Sequence, residues 1–503
     1  RRPTMAHNLA RFLLSLLVSS CAAHTIWPAP AKALIGDGHV ALDLDNLQFQ
    51  PVPGSHVSDL VERATKRAVA VLRGMASGQC SPPSSTLSTL ALNVTSSDEG
   101  LSLATCEEYS VIYDAVDASI MTLTSCSVFG MVRALETFTQ LVTKNNTCLE
   151  VPGQLSIHDS PRFPYRGLMI DPARHFMPVS FLTHILDAMS YSKLNVLHVH
   201  WTDDESFPVL SSGFPQLADG AFSPQDTYSV ADLQSFVSEA RDRGIIVIPE
   251  FDMPAHSASW AAGFPGIVAN CSAPFTHGSV LNPALNDTFK VVDGLLQEMT
   301  AIFNSKFMHL GGDELPDTCW SSTPDIVAWA KREGLDNTTA IEQRYFDTVL
   351  SGDWVTGVTP MFWEEVFNVG LHLPNNSIVE GWKSGSLGSI VESGLHGINS
   401  YKWYLNHGCN TYGDGTWDTF YTNDPYSHAA GAPQEALGRI LGGETAMWNV
   451  CVDAVSFDSI VWPRAAAAAE QLWSPSADTK DAKVAEARMA VHRCRLVQRG
   501  VAA

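Results

Sequence analysis

The chain has 503 residues, of which 45% are hydrophobic and 17% are charged, a composition that is typical of globular proteins and excludes extended disorder. Its 31 basic and 53 acidic side chains give a net charge of −22, which argues against nucleic acid or an anionic membrane surface as a main partner. The length allows two or three domains, or one large barrel with a smaller unit.

Residues 1–24 are predicted to form a signal peptide region, with four extra residues before Met5. The segment FLLSLLVSSCAA is apolar, ends in small residues and is too short to span a membrane. We expect cleavage near Ala23–His24, entry into the secretory pathway and no stable membrane insertion. Six Asn-x-Ser/Thr glycosylation candidates agree with that route: Asn93, Asn145, Asn270, Asn286, Asn337 and Asn375.

The cysteines point to the same compartment. There are ten, and Cys21 lies in the signal region, so an odd number remains and at least one thiol is unpaired or pairs between molecules. Cysteines of this number suit an oxidising lumen. None forms a Cys-x-x-Cys zinc pattern.

Residues 25–160 predict a small α+β domain. The segments STLALNV, EYSVIY and SIMTLT are rich in β-branched residues and read as strands, and SVFGMVRALETFTQLV has helical periodicity. Several strands beside one or two helices favour this fold class. The segment His158–Gly167 contains two prolines and predicts the junction with the next domain.

Residues 161–503 predict a (β/α)8 TIM barrel, so the whole chain is an α/β protein with the small domain in front. Eight apolar segments read as buried parallel strands, with helical patterns such as VSFLTHILDAMSYSK and VADLQSFVSEARDRG between them. The eight segments are RGLMIDPARH, NVLHVHWTDD, IIVIPEFDMPAH, FMHLGGDE, TPMFWEE, IVEGWK, GINSYKWYLN and RILGGETAMW.

Polar and aromatic residues follow the ends of these strands, where TIM barrels place their chemistry. They are Asp171, Arg174, Asp203, Asp252, His256, Asp313, Glu314, Trp363, Trp382, Tyr404 and Trp448. Acids, one arginine and flat aromatic faces, to which Trp403 adds another, are the groups that bind a sugar, because C–H faces stack on rings and hydroxyls form hydrogen bonds. The strand ends therefore predict a carbohydrate site.

Asp313 and Glu314 are adjacent in the segment FMHLGGDELPDTCW. Glycosidases usually place two carboxylates across the scissile bond, but neighbouring residues on a strand point to opposite faces, and we expect these two to diverge. One acid can protonate the leaving oxygen, so the other needs a different task. We expect Gly311 and Gly312 to leave room for a sugar against the backbone.

Several motifs together resemble the β-N-acetylhexosaminidases of glycoside hydrolase family 20, especially the lysosomal type. They are GLMIDPARHFMP, LHVHWTDDESFP, EFDMPAHSASW, HLGGDE, WYLN, GGETAMW and WPRAAAAAEQLWS. The resemblance runs from about Ile26 to the C-terminus. It implies a retaining exo-hydrolase of terminal β-linked GlcNAc or GalNAc on oligosaccharides and glycoconjugates, without cofactor or metal. It also implies a secreted or lysosome-like location and a possible homodimer.

The resemblance also assigns roles. Glu314 is the general acid and then the base, and Asp313 holds the substrate's 2-acetamido group, whose carbonyl oxygen is the nucleophile and forms an oxazolinium intermediate. Tyr404 holds the acetamide oxygen. The remaining substrate-binding residues are Arg174, Asp203, His256, Trp363, Trp382, Asn406 and Trp448.

Two positions depart from the family pattern. A Glu commonly follows the last of these tryptophans by two residues and binds the outer hydroxyls of the sugar, whereas this chain has Val450, and an acid such as Asp414 or Asp418 is a candidate substitute. The family varies at His407, where an Arg favours anionic substrates, so the choice between neutral and anionic substrates stays open.

The resemblance extends to the cysteines. Cys271 and Cys319 correspond to a disulfide that braces the loop after Glu314. Cys494 corresponds to half of a C-terminal bridge, for which the sequence offers no downstream partner. In the small domain we expect Cys80 to pair with Cys106, and the pairing of Cys126, Cys148, Cys409 and Cys451 stays open.

Two other function classes remain. His198 and His200 lie on one strand face and are a pattern found in metal-dependent barrel hydrolases, but we favour hydrogen-bonded core histidines inside the barrel. Val450 favours a catalytically inactive sugar-binding homologue, whereas intact Asp313, Glu314 and Tyr404 favour an enzyme.

Overall fold

The structure is a computed structural model that describes residues 25–76, 86–114, 119–269, 271, 279–383 and 385–503. The predicted signal region, Cys80 and Asn270 lie outside these residues. Among the helices of the described residues, none is both long enough and apolar enough to cross a membrane.

The described residues of the N-terminal part form ten strands in two sheets. A six-stranded sheet has the order β1-β10-β6-β7-β5-β3, and a four-stranded sheet has the order β4-β2-β9-β8. The strands are β1 Lys32–Ile35, β2 His39–Leu42, β3 Gln48–Pro51, β4 Thr86–Leu87, β5 Thr89–Val94, β6 Tyr109–Asp114, β7 Ile120–Ser125, β8 Thr143–Asn145, β9 Cys148–Pro152 and β10 Gln154–Asp159. The prediction of a small α+β domain is confirmed.

Two helices, Asp59–Met75 and Val128–Leu141, pack on this domain. On β5, Leu90, Leu92 and Val94 alternate with more exposed residues and face the core, as expected for a strand with one covered face. The helix Val128–Leu141 is buried on nearly every side, and the Ser127 side chain caps it by accepting a hydrogen bond from the Gly130 amide.

The C-terminal part is a closed barrel of eight parallel strands, and the sequence segments predicted all eight. They are β11 Tyr165–Ile170, β12 Val196–His200, β13 Ile246–Glu250, β14 Phe307–His309, β15 Thr359–Trp363, β16 Ile378–Gly381, β17 His396–Asn399 and β18 Ile440–Met447. Strand β18 pairs with β11 and closes the barrel.

Helices surround the barrel and connect its strands. They span Val179–Tyr191, Val230–Asp242, Trp260–Gly263, Asn286–Phe303, Asp317–Ser322, Pro324–Glu333, Thr338–Val349, Glu365–Asn368, Ser386–Glu392, Trp417–Tyr421, Gln434–Leu437, Phe457–Val461, Arg464–Trp473 and Ala482–Gln498. Short 3-10 segments span Pro215–Gly220, Pro265–Ile267, Asp353–Val355, Pro425–Ala429 and Asn449–Cys451.

The interior of the barrel changes character along its axis. Near the amino ends of the strands it is apolar, with Val196 and Ile246 packed in one cluster. Towards the carboxyl ends the same strands place His198, His200 and Glu250 inside, all fully buried. The expectation that the strands are apolar along their length is therefore correct only near their amino ends, because their carboxyl ends carry polar side chains.

A buried ion cluster joins the small domain to the barrel. Glu107 accepts hydrogen bonds from the Nε of Arg133 at 2.8 Å and from the Nη2 of Arg166, on β11, at 2.7 Å. All three side chains are at most 6% exposed. Arg133 also donates to the backbone carbonyls of Arg243 and Gly244, so the two parts are held through fixed polar contacts.

Disulfides correct one expectation. Cys106 pairs with Cys126, so the expected Cys80–Cys106 bridge is wrong. Strand β6 pairs antiparallel with β7, and this pairing brings the residues that flank the two strands together. The structure also contains the bridges Cys271–Cys319 and Cys409–Cys451, Cys148 is disulfide-bonded, and Cys494 is a free, exposed thiol.

The described glycosylation candidates lie near the surface. Asn145, Asn286, Asn337 and Asn375 are exposed, and Asn93 on β5 is half-buried. Whether they carry glycans stays a prediction.

Candidate active site

The loop after β14 carries the two adjacent acids. Gly311 and Gly312 have φ angles of +69° and +91°, which favour glycine. A Cβ on Gly311 would lie 1.6 Å from the Asp252 carboxylate, and one on Gly312 would lie 2.5 Å from Val366. The expectation that these glycines make room for a sugar is therefore wrong, because protein side chains fill that space.

The two carboxylates do not diverge. The Nε2 atom of His256 lies 3.7 Å from the Oδ2 of Asp313 and 3.5 Å from the Oε2 of Glu314. Glu314 has a φ of +49°, a left-handed conformation that turns its side chain back towards the same imidazole. The expected divergence assumed extended backbone, and this turn replaces it. The Asp313 side chain is 11% exposed, whereas that of Glu314 is 38% exposed and accessible to a ligand.

A hydrogen-bonded relay stands behind the acids. The Nδ1 of His256 lies 3.1 Å from the Oδ1 of Asp203, and the Oδ2 of Asp203 lies 2.6 Å from the Nε2 of His200. The Nδ1 of His200 is 2.7 Å from the Oε2 of Glu250. Strands β12 and β13 supply these groups, so the relay runs from the barrel interior to Glu314 at its mouth.

The relay sets the charges of the site. Burial lowers the pKa of His256, but Asp203 and Asp313 outweigh it and hold that pKa well above the usual value. Burial and the neighbouring Asp313 raise the pKa of Asp252 well above its usual range. Burial also raises the pKa of Asp313, although the His256 imidazolium opposes this shift. Both carboxyls are therefore harder to ionise than a solvent-exposed aspartic acid.

Arg174 lies beside this relay. Its Nη2 is 2.6 Å from the Oδ2 of Asp203, its Nη1 donates to Asp171 at 3.1 Å, and its Nε donates to Glu205 at 3.0 Å. Burial lowers its pKa, but these carboxylates together raise it above the ordinary arginine value. The guanidinium lies over the Trp448 ring, 5.2 Å from its centroid.

Two tryptophans form one wall of the site. The rings of Trp363 and Trp448 are 5.8 Å apart at 42°. The indole N–H of Trp363 donates to the Oε1 of Glu250 at 2.9 Å, which fixes its orientation. Trp363 is fully buried and Trp448 is half-buried, so Trp448 has the more accessible face.

A second aromatic group lies after β16 and β17. The rings of Trp382 and Tyr404 stack at 5.7 Å and 22°, and the Tyr404 ring also stacks on His407 at 5.3 Å. Asp414 accepts from the Tyr404 backbone amide at 2.7 Å and bonds His407 at 2.9 Å. Burial and Glu380 raise the pKa of the Tyr404 phenol well above its usual value, so it is a hydrogen-bond donor at neutral pH.

Two sequence-predicted residues lie behind the site. Asn406 is fully buried, and its amide bonds the Trp448 backbone through both its Nδ2 and its Oδ1. It positions Trp448, so its expected place in the substrate-binding shell is corrected. Trp403 is fully buried and donates to the Phe420 carbonyl, so it fills the core. Val450 is 41% exposed at the mouth.

Sequence reasoning missed several acids. Glu250 contacts His200, His309 and Trp363 at the centre of the relay. Glu365 accepts from the Trp382 indole at 2.9 Å. Glu205 contacts Arg174 at the rim. A carboxylate at the end of a buried strand, as in IIVIPE, was the available signal for Glu250, because burying an unpaired acid is costly.

The histidines that favoured a metal hydrolase are paired with carboxylates. His198 Nδ1 lies 2.9 Å from Glu444, and both nitrogens of His200 lie 2.6–2.7 Å from acids. Contacts of these lengths are hydrogen bonds, and the Glu250 carboxylate is shared among His198, His200 and His309. The donor set therefore fits hydrogen-bonded core histidines better than a metal centre.

Residues 163–476 match the catalytic domain of glycosyl hydrolase family 20, and residues 26–141 match a domain described as beta-acetyl hexosaminidase like. The chain belongs to glycosyl hydrolase family 20. It is a glycoside hydrolase by this membership, and the match to the family covers both the barrel and the small domain.

Relatives of this family-20 chain cover most of its length. Beta-hexosaminidase 3 of Arabidopsis thaliana is 36% identical over 95% of this chain and 90% of its own. Beta-hexosaminidase subunit beta of Mus musculus is 38% identical over 80% of this chain and 75% of its own. The solved chitobiase of Flavobacterium johnsoniae has a TM-score of 0.82 at 28% identity, covering 95% of this chain and 73% of the other.

Proposed function

We propose that this family-20 enzyme removes terminal β-linked N-acetylhexosamine residues by substrate-assisted catalysis with retention of configuration. The observation that carries the proposal is the convergence of Asp313 and Glu314 on His256. The two acids share one imidazole instead of flanking a bond, which supports a nucleophile provided by the substrate.

In the first step, the oxygen of the 2-acetamido group attacks C1 and the bond from C1 to the leaving oxygen breaks. Glu314 gives its proton to that oxygen, which suits the more exposed of the two acids. Asp313 accepts a hydrogen bond from the acetamide N–H and stabilises the positive charge of the oxazolinium ion. Tyr404 donates a hydrogen bond from its phenolic O–H to the acetamide oxygen and thereby orients the acetamide.

In the second step, the Glu314 carboxylate takes a proton from water, and the resulting hydroxide oxygen bonds to C1. The C1–oxygen bond of the oxazolinium ring breaks, and the acetamide is restored. Because C1 is attacked twice from opposite faces, the product keeps the β configuration. His256, held by Asp203, is positioned to stabilise the Glu314 carboxylate between the steps.

The substrate is proposed to be a GlcNAc- or GalNAc-terminated oligosaccharide or glycoconjugate, bound between the two aromatic walls. The relatives' printed names support this class. Some of those relatives are described as subunits, which supports assembly into a homodimer as a further proposal. A secreted or lysosome-like location is proposed from the sequence.

The test compares two chromogenic substrates with the same leaving group, 4-nitrophenyl β-N-acetylglucosaminide and 4-nitrophenyl β-glucoside. We expect rapid hydrolysis of the first alone, β-configured product in NMR spectra of the fresh reaction, and inhibition by a thiazoline analogue of the oxazolinium ion. Equal rates on both sugars would refute the role of the acetamide. Sensitivity to a chelator would favour the metal hydrolase, and binding of chitobiose without release of GlcNAc across pH 4–7 would favour an inactive homologue.

A further inference from the structure

Glu205 is an acid at the mouth of the barrel that the mechanism above does not use. It follows β12 by five residues, and its side chain is 46% exposed. Its Oε2 accepts from the Nε of Arg174 at 3.0 Å. The other two carboxylates on Arg174, those of Asp171 and Asp203, are at most 1% exposed. Among the described acids that contact Arg174, Glu205 is thus the accessible one.

The hydrogen-bond capacity of Arg174 leaves a place for a ligand beside Glu205. A guanidinium has five N–H groups, and each nitrogen of Arg174 faces one carboxylate. N–H groups on Nη1 and Nη2 therefore remain for oxygen atoms of a ligand. Because the Trp448 ring lies under the guanidinium and Glu205 at its Nε edge, a ligand hydroxyl at this rim meets a donor and an acceptor together.

Residues 448–452, which follow β18, reach Arg174 through Asp171, and this described segment contains no acidic side chain. Asn449 bonds Asp171 through its backbone N–H and its side chain, its carbonyl contacts His175, and Val450 is the next residue. Val450 is apolar and 41% exposed. A hydroxyl bound by Arg174 can therefore find an anionic acceptor at Glu205 and none at Val450.

We propose that Glu205 is a specificity-determining residue that accepts a hydrogen bond from a ring hydroxyl of the terminal sugar while Arg174 donates to the same region. This proposal rests on the proposed function and deepens it. A hydroxyl held between a fixed donor and a fixed acceptor is bound in one orientation, so the pair is sensitive to its stereochemistry. Since GlcNAc and GalNAc differ at the C4 hydroxyl, Glu205 contributes to the preference between them.

The test measures kcat and KM of Glu205→Gln on 4-nitrophenyl glycosides of GlcNAc, GalNAc, 3-deoxy-GlcNAc and 4-deoxy-GlcNAc. We expect KM for GlcNAc to rise about tenfold with little change in kcat, since a charged hydrogen bond formed before and during the reaction is lost. One deoxy substrate should be unaffected by the substitution, because it lacks the partner of Glu205. An unchanged KM, or an equal loss on all four substrates, contradicts direct contact with a hydroxyl.

Two further variants sharpen this test. Glu333→Gln removes a comparable exposed ion pair, the one with Arg344 on the helix Thr338–Val349, and should keep wild-type kinetics. Adding Val450→Glu to Glu205→Gln supplies an acid from the segment after β18 and should recover part of the lost affinity; no recovery contradicts the proposal that an acid beside Arg174 binds the sugar hydroxyl. If Glu205→Gln does not fold, Glu205→Asp gives the same comparison. Wild-type protein without hexosaminidase activity would instead refute the proposed function.

Discussion

Two residues at the site have backbone conformations that side chains rarely adopt. His256 and Glu314 have φ angles of +53° and +49°. Such positions cost free energy and persist where the surrounding contacts fix them. Here the contacts are the ion pairs from Asp203 to His256 and onwards to Glu314. The geometry of the two acids therefore depends on the relay as well as on their own loop.

Replacing Asp313 by Asn tests the role of this acid separately from that of Glu314. The amide keeps the size of the side chain but removes the charge that would stabilise the oxazolinium ion, and we expect kcat on N-acetylglucosaminide to fall by about 10²–10³-fold. Steady-state kinetics measure the loss, and the matched substitution Asp287→Asn, an exposed side chain on the helix Asn286–Phe303, should leave kcat unchanged. A wild-type kcat for Asp313→Asn would remove this residue from the mechanism.

His200 predicts a pH dependence of stability. Burial lowers its pKa, but Glu250 and Asp203 raise it to about 9. A histidine whose pKa is raised on folding stabilises the fold below its unfolded pKa of about 6.5, and that contribution is lost as the pH rises towards about 9. We expect the unfolding free energy in urea to fall between these pH values. His200→Asn should flatten that slope, and a variant with the wild-type slope would contradict the assignment.

The sequence predicted the residues that are visible as motifs, and Asp313, Glu314, His256 and Asp203 do lie together. It did not predict Glu250, because a single acid in an apolar strand has no periodic pattern that reveals its partners. Asn406 was misplaced for a related reason: a polar residue beside a motif can bind backbone as well as substrate, and only its hydrogen bonds distinguish the two.

At the scale of elements, the loops after β17 and β18 form one unit. The Cys409–Cys451 bridge links them, and Asn406 bonds the backbone of Trp448. Tyr404 and Trp448, from different strands, are thereby held in one arrangement. The two aromatic walls therefore depend on this loop pair.

Removing the bridge tests that dependence. In Cys409→Ala/Cys451→Ala we expect the unfolding free energy to fall by about 2–4 kcal/mol, since a cross-link over 42 residues restricts the unfolded chain. We also expect KM to rise, because the loops carry site residues. Calorimetry and kinetics measure both effects. Cys494→Ala, which removes the free exposed thiol, is the control; a double variant as stable as this control would contradict the role of the bridge.

The strands were predictable because the sequence contains eight apolar segments, each followed by polar residues, with helical patterns between several of them. Cysteine pairing was less predictable, since Cys106 meets Cys126 through the pairing of β6 with β7, a contact between strands that spacing does not specify. The left-handed turn at Glu314 was equally hidden, because the contacts with His256 that hold it form only in the folded barrel.

At the scale of the molecule, the Glu107 cluster couples the small domain to the barrel. Removing one partner of a buried ion cluster leaves the other charges unpaired. Glu107→Ala would leave Arg133 and Arg166 buried without their shared carboxylate. We therefore expect a loss of about 3 kcal/mol or more in the unfolding free energy.

Equilibrium unfolding in urea measures this loss. Disruption of the exposed Lys290–Asp287 pair by Lys290→Ala is the matched control and should change stability by less than about 1 kcal/mol. If Glu107→Ala and Lys290→Ala lower the unfolding free energy by the same amount, the Glu107 cluster does not couple the small domain to the barrel.

The role of Glu314, on which the proposed mechanism depends, is tested by the turnover of Glu314→Gln on 4-nitrophenyl β-N-acetylglucosaminide, together with the affinity of this variant for the thiazoline analogue. The amide cannot donate the proton or activate water, so we predict that kcat falls by about 10³-fold or more while the inhibitor still binds. Wild-type turnover by this variant would contradict Glu314 as the acid and base, and with it the proposed mechanism.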